Sequence, residues 1–115
     1  MQINGKYYTD TEAAAYIKML LHILSACRPV LSMAFFADYL VQHKADALVF
    51  QIDTIMKGKK NVSAEYIKML LRILSDCRPV LSMAFFADYH LQHKADSLML
   101  QIYSIMKGEY NNVSN

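Results

Sequence analysis

The residues able to run metal or redox chemistry are few, and their spacing limits what they could do. His43 and Asp46 stand three apart, so they share a face if the segment is helical, and His93 with Asp96 repeats the pair. Two helices each carrying His-x-x-Asp would supply half of a di-metal site in a helical bundle. The other two helices would have to add carboxylates, and Glu12 and Glu65 fall at helix starts, away from any midpoint. Axial imidazoles from His43 and His93 could in principle hold haem. The plainer reading is a solvated turn of helix, and no metal, haem or other cofactor is expected. Cys27 and Cys77 each precede an Arg and then a Pro. A nearby cation lowers a thiol pKa, yet no histidine is placed by spacing to partner either thiol. Both are expected as free thiols packed like small apolar groups near helix ends. No Gly-rich phosphate loop, zinc spacing or serine nucleophile motif is present, so no catalytic residue is assigned and the chain is not read as an enzyme.

What remains is surface chemistry. Phe35, Phe36, Tyr39 and Leu40, with Phe85, Phe86, Tyr89 and His90, form two aromatic clusters and make the candidate interface. Neighbouring helical residues point about 100° apart, so one Phe of each pair can enter the core while the other serves a second interface; the plainer expectation is that all of these aromatics are core. Lys18, Lys68 and Arg72, with the basic knot Lys57, Lys59 and Lys60, define the alternative, a small DNA-binding regulator. The stretch Thr9 to Ile17 resembles the opening helix of small helix-turn-helix DNA binders, although no Arg/Lys-rich recognition helix follows at the required place.

The chain is one unit written twice. Cys27–Tyr39 (CRPVLSMAFFADY) recurs unchanged as Cys77–Tyr89, and 34 of the 45 pairs between 16–60 and 66–110 are identical at an offset of 50. Two copies are too few for a solenoid. They read as two helical hairpins packed about a pseudo-two-fold axis, as the chains of a symmetric dimer would pack. A recent natural duplication and a deliberate tandem fusion both remain open. Where the copies differ, Leu40 against His90 and Ala47 against Ser97 suggest that copy one buries that face more deeply, with drift at exposed sites as the alternative.

Composition bounds the fold. The 115 residues are 55% apolar and 19% charged, with three Gly and two Pro, too few turn formers for an all-β protein. A chain this small cannot hide that much apolar surface in one core, so the expected outlet is a second copy of itself or another protein. A net charge of +2 does not by itself imply nucleic acid. No unbroken apolar run reaches the ~18 residues of a membrane span, and no secretory pattern opens the chain. A cytoplasmic protein with no membrane partner is expected.

These constraints predict an all-α single domain over 1–115, with repeat one at 9–58 and repeat two at 63–108. Thr9 and Glu12 fit a capping box, and Ser63 caps the matching helix. Pro29 and Pro79 are expected to open new helices after a turn at Cys27-Arg28. One long helix, able to bend near His43-Lys44, then runs to Gly58, on a heptad of Ala34, Val41, Leu48 and Ile55. A continuous helix kinked at the proline is the alternative. The first eight residues are expected as a loose arm despite the Asn4-Gly5 turn signal, because a lone hairpin is marginal. The function expected is a non-enzymatic helical module for protein interaction or self-assembly.

Overall fold

The Thr9 hydroxyl accepts from the Glu12 amide at 3.1 Å, and the Glu12 carboxylate accepts from the Thr9 amide at 2.9 Å. This capping box opens the first of four helices in the computed structural model, which describes residues 1–108. The helices are α1 (Asp10–Ser32), α2 (Tyr39–Lys57), α3 (Ala64–Ser82) and α4 (Tyr89–Met106), preceded by two short strands, β1 (Gln2–Ile3) and β2 (Lys6–Tyr7). The all-α expectation holds.

The prolines do not break the helices. Pro29 lies inside α1 and Pro79 inside α3, so Cys27 and Arg28 are helical rather than in a turn. The reason is the face they occupy. Both prolines are exposed, as are Ser25 and Ser75 four residues earlier. The carbonyl that loses its amide partner can therefore bond to water, which removes much of the cost of a mid-helix proline. The break comes instead at 33–38 and 83–88. There is accordingly no single helix from 29 to 58, and its expected bend near His43-Lys44 is ordinary helix. Asp38 and Asp88 start α2 and α4 by accepting from the amides of Leu40 (2.8 Å) and His90 (2.7 Å). Ala34 belongs to the loop, and α2 buries Ala45, Leu48 and Ile52 in place of the full expected heptad.

The N-terminal arm is also more ordered than expected. Asn4 and Gly5 take positive φ (53° and 83°), the geometry of a tight hairpin turn, and pair Gln2 with Tyr7 and Ile3 with Lys6. The Met1 ammonium donates to the Tyr8 carbonyl at 2.7 Å. A two-stranded ribbon needs a surface to pack on. Here β1 lies against α3 with Ile3 buried, and Tyr8 stacks on Tyr16 at 5.4 Å.

α1 packs on α2, α3 on α4, and α1 also touches α3 and α4; α2 meets α3, but α2 and α4 do not touch. The central pair accordingly bury broad stripes: Ile17, Leu20, Ile23, Leu24, Cys27, Val30 and Leu31 on α1, and the residues 50 further on along α3. The flanking helices bury narrow ones, with Ala95, Leu98, Ile102 and Ile105 on α4. By length and mean hydropathy α1 could cross a membrane, a property its interrupted apolar pattern conceals in sequence. Nine of its side chains are instead buried within the protein. The tail at 109–115 lies outside the described residues.

Candidate interaction surface

The loops 33–38 and 83–88 meet. The Phe35 amide donates to the Phe85 carbonyl, and the Phe85 amide donates to the Phe35 carbonyl, both at 2.8 Å. This reciprocal bridge joins the α1–α2 turn to the α3–α4 turn at one end of the bundle. Each aromatic pair splits across it. Phe36 and Phe86 are half-buried against the core, while Phe35 and Phe85 stay exposed. Tyr39, Leu40 and Tyr89 are exposed beside them, as is His90. Sequence reasoning missed Met33 and Met83, which end α1 and α3 and stand exposed next to the bridge. Their place in the unchanged 13-residue repeat was the available signal. Met33, Phe35, Tyr39, Leu40, Met83, Phe85 and Tyr89 are 51–74% exposed, and they are seven of the fourteen large exposed apolar residues among those described. Single exposed apolar side chains are ordinary, but this clustering is not.

The difference expected between the copies at this end is absent. Leu40 and Ala47 are as exposed as His90 and Ser97, because both pairs lie on the outer faces of α2 and α4. Neither copy buries that face, so the substitutions carry no packing consequence.

The remaining candidate residues have local partners. His43 stands edge-on to Tyr39, and His93 to Tyr89, each with ring centroids 4.4 Å apart. Asp46 and Asp96 accept from Gln42 and Gln92 at 3.1 Å. No cluster of three or more possible metal ligands occurs among the described residues. Lys18, His22 and Lys60 line one groove of about 580 Å³. Arg72 lines another beside Asp76 and Phe50. Of the proposed DNA contacts, Lys18 and Lys60 therefore line a different groove from Arg72, which has the Asp76 carboxylate beside it.

Cys27 and Cys77 are free and fully buried in the interiors of α1 and α3, not near helix ends. The neighbouring Cys27 thiol first, then burial and the nearby Asp76 charge, push the Cys77 pKa up. Burial first, and then the charge of the neighbouring Tyr8 phenol, raise the Tyr16 pKa to about 12. Burial also raises Tyr66, whose hydroxyl has no hydrogen-bond partner. Arg28 pairs with Asp53 at 2.6 and 3.1 Å, which holds the Asp53 carboxyl below the usual carboxylate range. At the matching position Arg78 lies over the Tyr103 ring, 5.2 Å from its centroid. No protein-family model, curated protein or solved structure matches this chain.

Proposed function

We propose that this chain is a non-enzymatic helical module that self-associates through the paired-loop end of its bundle. The observation that carries the reading is the Phe35–Phe85 bridge, which gathers two exposed aromatic segments into one patch. Because the two loops contribute the same residues, the patch has the form of an isologous interface, in which one surface meets its own copy. Burying a Phe, Leu or Met side chain is worth roughly 1.5–3 kcal/mol. Several such anchors are needed to offset the rotational and translational cost of association, and the patch supplies five, with Tyr39 and Tyr89 beside them. Asp38 and Asp88 are its carboxylates, and both already accept hydrogen bonds as helix caps.

A finer reading treats the chain as two homologous hairpins about a pseudo-two-fold axis, a natural or engineered tandem fusion of a homodimer. It draws support from the 50-residue offset in buried positions along α1 and α3, and from the reciprocity of the bridge. Residues 61–115 alone should then form a helical homodimer; an unfolded or monomeric fragment counts against the fusion reading.

Light scattering on the full chain at rising concentration tests the main proposal. A reversible dimer is expected, and the double variant Phe35→Ser/Phe85→Ser should remain monomeric with unchanged helix content. A wild-type chain that stays monomeric throughout rejects it. Binding of duplex DNA that weakens steeply with salt would favour the regulator instead.

A further inference from the structure

We infer that Cys27 and Cys77 form a dithiol site that a small peroxide converts to an internal disulfide, fastening α1 to α3. The thiols come from matching, fully buried positions on the two central helices, which pack against each other around one core, and the two thiols lie within electrostatic reach of each other. Each is the other's neighbour, and both are sealed from solvent. A bulky disulfide such as oxidised glutathione therefore has no access, whereas a peroxide of nearly water size can enter when the helices open locally.

The surroundings of the two sulfurs differ. Cys77 follows Asp76, where the first copy has Ala26. The added negative charge lies on the Cys77 side only, which assigns the first attack to Cys27 and the resolving step to Cys77. The Cys27 thiolate attacks one peroxide oxygen and breaks the O–O bond. The departing oxygen takes the proton released by Cys27 and leaves as water, and Cys27 becomes a sulfenic acid. Cys77 then attacks the Cys27 sulfur and expels the sulfenic hydroxyl, which leaves as a second water with the Cys77 proton. Two thiols lose two electrons to one peroxide, and the S–S bond closes the 50-residue interval between the repeats. Such a crosslink restricts the unfolded chain and raises resistance to unfolding. This site does not depend on the assembly reading, since it uses only the α1–α3 contact.

The test treats the reduced full chain with hydrogen peroxide, alkylates remaining thiols under denaturing conditions, and maps tryptic peptides by mass. Trypsin does not cut the Arg-Pro bonds, so the cysteines lie in peptides 19–44 and 73–94. The expected product is these two peptides joined within one chain, lighter by two hydrogens at the bond. The joined chain should also melt at higher temperature than the reduced one. Recovery of both peptides fully alkylated, over-oxidised without a link, or linked only between chains overturns the inference. In Cys77→Ser, peroxide should leave a Cys27 sulfenic acid that dimedone labels, and Cys27→Ser should label far less; the reverse pattern overturns the assigned order of the two cysteines.

Discussion

The same arginine is held in two ways in the two hairpins. In α1–α2, Arg28 forms a two-point ion pair with Asp53; in α3–α4, Arg78 lies over Tyr103, which also faces Lys107 at 5.0 Å. The surrounding packing hardly differs, since Leu48 and Ile52 are buried as Leu98 and Ile102 are. The buried stripes therefore set how each hairpin closes, while the outer surface accommodates either an ion pair or a cation–ring contact. Partly exposed ion pairs are worth little in stability, which explains how one could be replaced without rearranging the helices.

If the hairpins are energetically equivalent inside, matched core substitutions must cost the same. Leu24→Ala and Leu74→Ala each remove a fully buried side chain. Each should lower unfolding free energy by about 2–5 kcal/mol in denaturant titration; markedly unequal losses break the equivalence. Pro29→Ala and Pro79→Ala should act in the opposite direction, each raising stability by about 1 kcal/mol, a fraction of the ~3 kcal/mol of an interior proline because water already satisfies the freed carbonyl. A loss at either position would show that the ring, not its tolerance, matters there. Asp38→Ala and Asp88→Ala remove equivalent caps and should cost about 1 kcal/mol each.

Acidification should separate the hairpins by the smallest margin. Glu12 and Asp53 both have folded-state pKa values below their usual ones, Glu12 through its hydrogen bonds to Thr9 and Asp53 through Arg28. A depressed carboxyl pKa stabilises the fold above the unfolded value and loses that contribution as pH falls through the folded one. Both groups belong to the first hairpin, and Tyr103 stands at the second copy's position for Asp53. Below about pH 4, amide exchange in α1 and α2 should accelerate more than in α3 and α4. Uniform acceleration would mean that these carboxylates do not act locally.

Much of this was legible in sequence because it is local. The Thr9–Glu12 box, the Ser63 cap and the i, i+3, i+4 stripe of Ile17, Leu20, Leu21 and Leu24 depend on near neighbours only. The helical setting of the prolines is not legible in sequence, because a proline's cost depends on which face it occupies and that face is set by tertiary packing. The order of the N-terminal hairpin is hidden because its partner, α3, is remote in the chain. The aromatic cluster was visible as composition, but its division into inward Phe36 and outward Phe35 required the pairing of two loops 50 residues apart. The Arg28–Asp53 contact was equally hidden, since no pattern links positions on different helices.

The central claim, association through the paired-loop end, is tested most directly by backbone amide NMR of the full chain across a concentration series. Shifts confined to 33–40 and 83–90, abolished by Phe35→Ser/Phe85→Ser, are predicted. Spectra that do not change with concentration, or changes centred on Phe50 and Leu100 along the outer helices, would contradict it.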